Sequence, residues 1–339
     1  MSGITRREFI KRTVAAGGAG GAILYGFKKP AAASVAGEQR TAAVGTLIDL
    51  SKCDGCAGVE VPLCVQACRQ ENGAKYPNPV PSKEIHYYWP NKKKEDWQDK
   101  KALTNRLTPY NWTFVQKVKV EYGGKQVEVA VPRRCMHCEN PPCANLCPFG
   151  AQAKTPAGIT LINKDLCLGG AKCRDVCPWG IPARQAGVGL YMKIAPKYLG
   201  AGVMYKCDLC YDRIKAGGKP ACVEACPKQA ILFGSKAAMR QAALERAREI
   251  DGFIYGDVEN GGTSTFYVSP VPFEKIDQAL KKQRDQQPNP SAPGFPLMPV
   301  KVGNYLDTAN GMALSMLVAP VAGAALAGFT AYQKMKGGE

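Results

Sequence analysis

Histidine is nearly missing: His86 and His137 are the two in a chain of 339 residues. That scarcity removes zinc sites with histidine ligands, bis-histidine haem and histidine-based catalysis. Each of the two is expected to be an ordinary surface or loop histidine. No Cys-x-x-Cys is followed by histidine, so covalent c-type haem has no attachment point. No Ser-His-Asp set, nucleotide loop or carboxylate pair stands out, so no catalytic residue is expected, and the Gly-rich GGAGG sits near the N-terminus. Acids are also short, 28 against 45 basic residues, a formal charge of +17. Such a balance suggests nucleic acid or an anionic membrane. Part of the excess is local, however. Residues 1–36 hold Arg6, Arg7, Lys11, Arg12, Lys28 and Lys29 against Glu8 alone, and about +12 remains without them.

Cysteine is abundant, with fifteen residues in four groups. The first is Cys53, Cys56, Cys64 and Cys68, in KCDGCAGVEVPLCVQAC. The second is Cys135, Cys138, Cys143 and Cys147, in RCMHCENPPCANLCP. The third is Cys167, Cys173 and Cys177, in DLCLGGAKCRDVCPWG, and the fourth is Cys207, Cys210, Cys222 and Cys226. Groups two, three and four end in Cys-Pro, the close of the ferredoxin run C-x2-C-x2-C-x3-C-P. In that run three thiolates from a tight loop grip one cuboidal cluster, while the fourth, at the start of a helix, reaches the neighbouring cluster. Two such motifs make one module with two clusters, so four motifs predict two modules. Group three has Gly170 where its second cysteine belongs. Paired zinc ribbons also use C-x2-C knuckles, but they need neither the recurrent x3-Cys-Pro nor an odd total. A disulfide scaffold would not require these spacings.

Thr5-Arg6-Arg7-Glu8-Phe9-Ile10-Lys11 reads as a twin-arginine export signal over residues 1–36, with small residues near Ala33 and Ala36. That route carries folded proteins, as oxygen-sensitive clusters loaded in the cytoplasm require. Residues 308–333 carry no charge and are long enough for a transmembrane helix. Lys334 and Lys336 then place the C-terminus inside and the globular body outside. Ala319, Gly323 and Ala327 repeat at a spacing that lets another helix approach. In the cysteine-free 69–134, TFVQKVKVEYGGKQVEVAVP alternates around Gly123-Gly124 and predicts a β-hairpin. Tyr87, Tyr88, Trp89, Trp97, Tyr110 and Trp112 precede it, as packing for an inserted subdomain. Two helices are expected in the extension 235–285, the first running from Ser235 to Gly252. The Pro-rich 286–307 reads as an extended linker.

The four motifs, ACVEACPKQAILFG, YGDVENGGTSTFYVSPVPFE and the tail segment resemble the four-cluster ferredoxin-type electron-transfer subunits of membrane-bound periplasmic oxidoreductases. Among these the chain looks most like the membrane-tethered iron-sulfur subunits of uptake nickel-iron hydrogenases and respiratory formate dehydrogenases. The export signal favours the hydrogenase type; the widened first motif departs from both. The resemblance implies an α+β fold: residues 45–68 and 200–234 form the first ferredoxin-like module, 135–199 the second. It pairs group one with group four and group two with group three. The implied [4Fe-4S] ligands are then Cys53, Cys56, Cys64 with Cys226; Cys207, Cys210, Cys222 with Cys68; and Cys135, Cys138, Cys143 with Cys177. Cys147, Cys167 and Cys173 are left for a [3Fe-4S] cluster, the alternative being a labile [4Fe-4S] whose fourth iron takes water. Four such clusters would add roughly −8 and leave about +4 on the holoprotein. The implied partners are a catalytic subunit, the membrane and an integral membrane quinone-reducing subunit, with no nucleic acid, and the implied place is the periplasmic face of the inner membrane. The competing classes are an autonomous quinone-reducing enzyme and a basic iron-sulfur protein acting on nucleic acid.

Overall fold

A computed structural model describes residues 42–86, 94–194, 202–289 and 292–336. The export signal and Tyr87, Tyr88 and Trp89 lie outside the described residues. The strands follow the chain as β1 (Val44–Asp49), β2 (Phe114–Tyr122), β3 (Lys125–Arg133), β4 (Gln152–Lys154), β5 (Thr160–Ile162), β6 (Ala183–Gln185), β7 (Val203–Tyr205), β8 (Ile231–Ser235), β9 (Phe253–Tyr255) and β10 (Thr265–Ser269). One four-stranded sheet has the order β8-β1-β10-β9, and three two-stranded ribbons pair β2 with β3, β4 with β5 and β6 with β7. With the helices, this is the expected mixture of α and β.

The strands bind the cysteine groups to one another. β1 runs into group one and β8 leaves group four, and they pair antiparallel from Val44↔Ser235 to Ile48↔Ile231. The β4–β5 ribbon lies between groups two and three, and the β6–β7 ribbon between groups three and four. A backbone ladder between segments far apart in sequence thus holds group one near group four.

The hairpin forms as the alternation predicts. Tyr122 faces Lys125 across Gly123 and Gly124, whose φ values of 59° and 71° suit a tight turn that glycine adopts without strain. Val118, Val120, Val129 and Val131 turn inward, and β3 delivers Arg133, Arg134 and Cys135 to the interior. Trp97, Tyr110 and Trp112 are buried, with Tyr76 edge-on to both Tyr110 and Trp112. Packing, not stacking on bases, occupies these aromatic rings.

The helix Lys236–Glu249 starts where expected, Ser235 Oγ accepting from the Ala238 amide at 3.2 Å. A second helix, Phe273–Asp285, buries Phe273, Ile276 and Leu280 at helical spacing. The Pro-rich segment is extended but docked. Arg106 and Arg133 donate to the carbonyls of Pro293 and Leu297, both at 2.7 Å, and the Met298 amide donates to Asp277 at 2.9 Å. Proline leaves carbonyls free to accept, and donors of the body take them.

The expected transmembrane segment 308–333 requires correction. A helix forms over Ala309–Lys336, but among the described residues no helix is long and apolar enough to cross a membrane. Alanine, glycine, serine and Pro320 dilute its leucine, valine and methionine. Met312, Met316, Leu317 and Val321 are nonetheless exposed on it.

Candidate iron-sulfur centres

All fifteen cysteines are free thiols, nine of them buried. Their loops bend through left-handed residues: Gly55 and Cys56 in group one, His137 in group two, Gly169 and Ala171 in group three, Leu209 and Cys210 in group four. In groups one and four an aspartate after the first cysteine locks the bend. Asp54 accepts from the Cys56 amide at 2.8 Å and Asp208 from the Cys210 amide at 2.9 Å. Such turns aim consecutive backbone N–H groups at one point, as an anionic ligand requires. Several already reach sulfur: Leu209 N to Cys207 Sγ at 3.3 Å, Ala230 N to Cys226 Sγ at 3.3 Å, and Met204 N to Cys167 Sγ at 3.4 Å.

The thiols gather in four neighbourhoods. Cys53, Cys56, Cys64 and Cys226 line one cavity with Val115, Pro132, Pro227 and Ile231. Cys68 faces Cys207, Cys222 and Cys210. Cys138 faces Cys143, Cys177 and Cys135. Cys173 faces Cys167 and Cys147. The structure thus brings thiols together from distant parts of the chain. Between sets, Cys64 faces Cys222, Cys207 faces Cys135, and Cys173 faces Cys143 and Cys177. The neighbourhoods therefore stand in a row, beginning at Cys53 and ending at Cys167.

The donor chemistry fits iron-sulfur clusters. Burial pushes the Cys53, Cys177 and Cys210 thiols up to about 11 and Cys207 to about 12, with Cys68, Cys138 and Cys173 well above their usual value. Dry thiols of this kind ionise only against a bound cationic centre. Among the described residues no group of three His, Cys, Asp or Glu is drawn together as for a metal ion. A cuboidal cluster asks for a wider stance, because each thiolate binds a different iron.

At Gly170 a built Cβ meets nothing within 4 Å, and the residue is exposed. Beside it, Glu95 from the inserted segment accepts from Arg174 Nη1 and Nη2 and from Arg184 Nη2, each at 2.7 Å, while Arg184 Nη1 donates to the Gly169 carbonyl at 3.1 Å. Burial alone would raise the Glu95 carboxyl, but the two guanidiniums hold it below its usual value.

His137, expected at the surface or in a loop, sits in a loop but is buried. Its Nδ1 accepts from the Thr160 amide at 3.1 Å, and burial, with Lys206 and Arg134 nearby, pushes its imidazole well below its usual value. Sequence reasoning also passed over Arg134 and Lys206, both buried among the thiols. A signal existed: a basic residue directly precedes the first cysteine in groups one, two and four.

Two family models, each described as a 4Fe-4S dicluster domain, match residues 52–151 and 127–236, together more than half of the chain. The iron-sulfur subunit of the nitrate-inducible formate dehydrogenase of Escherichia coli K12 is 30% identical over 243 residues, 67% of this chain and 68% of that protein. The chain belongs to this family of ferredoxin-type iron-sulfur subunits. Within the family, the hydrogenase-2 operon protein HybA of Escherichia coli O157:H7 is 28% identical over 316 residues, 81% of this chain and 83% of its own length. A protein of Nitratidesulfovibrio vulgaris is 30% identical over 265 residues, 76% of this chain, and the chain spans 63% of that relative.

Proposed function

We propose that the chain is a non-catalytic electron-transfer subunit that relays electrons through four iron-sulfur clusters. The observation that carries this reading is the row of four thiol neighbourhoods, each facing the next. Cys53, Cys56, Cys64 and Cys226 hold the first [4Fe-4S] cluster; Cys207, Cys210, Cys222 and Cys68 the second; Cys135, Cys138, Cys143 and Cys177 the third. Cys147, Cys167 and Cys173 hold a [3Fe-4S] cluster at the end of the row. When bound, these groups accept and release single electrons at potentials set by cluster type and surroundings. The chain does the rest: buried side chains exclude water, the left-handed loops aim N–H donors at sulfur, and the strand ladders fix the spacing between sites.

The catalytic partner is a separate exported subunit, a hydrogenase in preference to a formate dehydrogenase or another molybdenum or tungsten enzyme, because the chain carries its own twin-arginine signal. Electrons enter at the Cys53 end and leave at the Cys167 end for an integral membrane, quinone-reducing subunit. The helix Ala309–Lys336, with Met312, Met316, Leu317 and Val321 exposed, docks on that subunit at the outer face of the membrane. Affinity purification from native membranes with metal analysis tests the assembly. Nickel in the co-purifying subunit supports hydrogenase, and molybdenum or tungsten moves the assignment to the alternative. Quinol formation from an artificial donor by the chain alone overturns the relay role.

A further inference from the structure

Two cations are buried where the second and third thiol sets meet. Arg134 directly follows β3 and stands beside Cys135, and Lys206 directly follows β7 and stands beside Cys207; they are 2% and 6% exposed. Among the described residues neither makes a carboxylate salt bridge, and the Asp208 carboxylate, which acts on Lys206 from farther off, is itself paired with Lys75 at 2.8 Å. Arg134 Nη2 donates to Thr46 Oγ1 at 2.5 Å, while Nε and Nη1 have no oxygen or nitrogen acceptor and the guanidinium reaches toward the Cys207 sulfur. Lys206 Nζ donates to the carbonyls of Thr160 at 2.5 Å and Cys207 at 3.2 Å. Sulfur faces both. Arg134 faces Cys222 and Cys207 of the second set; Lys206 faces Cys135 and Cys143 of the third as well as Cys207.

A buried charge without a counter-charge is strongly destabilising. Two such charges at one place call for a counter-charge, and the anionic group that these thiolates hold is the one at hand. We propose that Arg134 and Lys206 form a fixed cationic seam that raises the reduction potentials of the second and third centres. The inference rests on the ligand sets proposed above. A fixed positive charge in a low-dielectric interior lowers the cost of adding an electron nearby. As an electron crosses the seam, one centre loses it and the other gains it. No bond breaks, and no proton has to follow, because the compensating charge is already in place.

The test is a redox titration of the full-length protein, purified anaerobically with its clusters and followed by electron paramagnetic resonance. Arg134→Met and Lys206→Met are each expected to make two of the four centres at least tenfold harder to reduce, a shift of 59 mV for a one-electron couple. The other two centres stay where they were. Arg134→Lys restores the wild-type values, and Arg240→Met, which removes an exposed cation paired with Asp257, moves none. Iron and sulfide counts separate the two levels of failure. A wild type without clusters defeats the ligand assignment; loaded variants with unchanged potentials defeat the seam. Should the methionine variants not load, Arg134→Lys and Lys206→Arg decide: loading at wild-type potentials supports a charge requirement, and failure to load marks both residues as packing and overturns the proposal.

Discussion

Glu95→Gln is the most informative single change at the end of the row. The carboxylate is 15% exposed and accepts three charge-assisted hydrogen bonds at 2.7 Å from Arg174 and Arg184, which are 19% and 2% exposed. Arg174 lies in the turn after Cys173, and Arg184 grips the Gly169 carbonyl, so Glu95 is the pin that closes the group three loop. Glutamine keeps the shape but removes the charge and presents an amide N–H₂ to a guanidinium. Breaking a largely buried pair by removing one partner costs about 3 kcal/mol. At 1.36 kcal/mol per tenfold this makes local opening about a hundredfold more frequent. Hydrogen exchange of the amides in 171–177, which includes the Arg174 N to Ala171 O bond at 2.8 Å, reads that opening directly. The pH dependence has a definite sign. Because the folded Glu95 carboxyl lies below its unfolded value of about 4.3, its stabilisation is fully present above that value and is lost as pH falls through the folded one. Wild-type protection of the loop should hold at neutral pH and fall in acid, whereas Glu95→Gln should be weak throughout and nearly flat. Protection within threefold of wild type at pH 7, or a loss spread evenly over the chain, refutes the pin.

Gly170→Cys should convert the last cluster to [4Fe-4S], abolish a [3Fe-4S] resonance in the air-oxidised protein and lower the potential of that site; four full cubanes in the wild type would contradict this. Tyr255→Phe removes the acceptor of Trp179 Nε1 at 2.7 Å and the donor to the Pro299 carbonyl at 2.9 Å. It should cost about 1–3 kcal/mol, seen as faster proteolysis within 292–307, and an unchanged cleavage rate would argue against docking of that segment. Gly202→Ala puts a Cβ 1.9 Å from the Gln185 carbonyl oxygen at a φ of 106°, so the β6–β7 ribbon should fail and little soluble holoprotein accumulate; normal yield would count against the ribbon. Stripping iron with a chelator should lower the thermal midpoint steeply, since buried thiols then lose their counter-charge, and an unchanged midpoint would mean that the fold stands without its clusters.

The amino-acid sequence by itself determined the parts whose information is local. Spacing of cysteines within each group sets which thiols share a loop, alternation around Gly123-Gly124 sets the hairpin, and Ser235 sets where a helix begins. The same local rules gave wrong or incomplete answers where a residue's role depends on what crosses it from elsewhere. Length and lack of charge suggested a membrane span at 308–333, but composition left the helix short of the apolarity needed. Proline content suggested an extended linker, and only the fold shows Arg106 and Arg133, distant in sequence, fastening it. Nothing local singles out Arg134 and Lys206, which the ends of β3 and β7 leave buried beside sulfur. Tertiary structure alone decided the order of the four sites, because a thiol's neighbour in the next set is fixed by which strands pair across the chain, a quantity that no spacing within one motif contains.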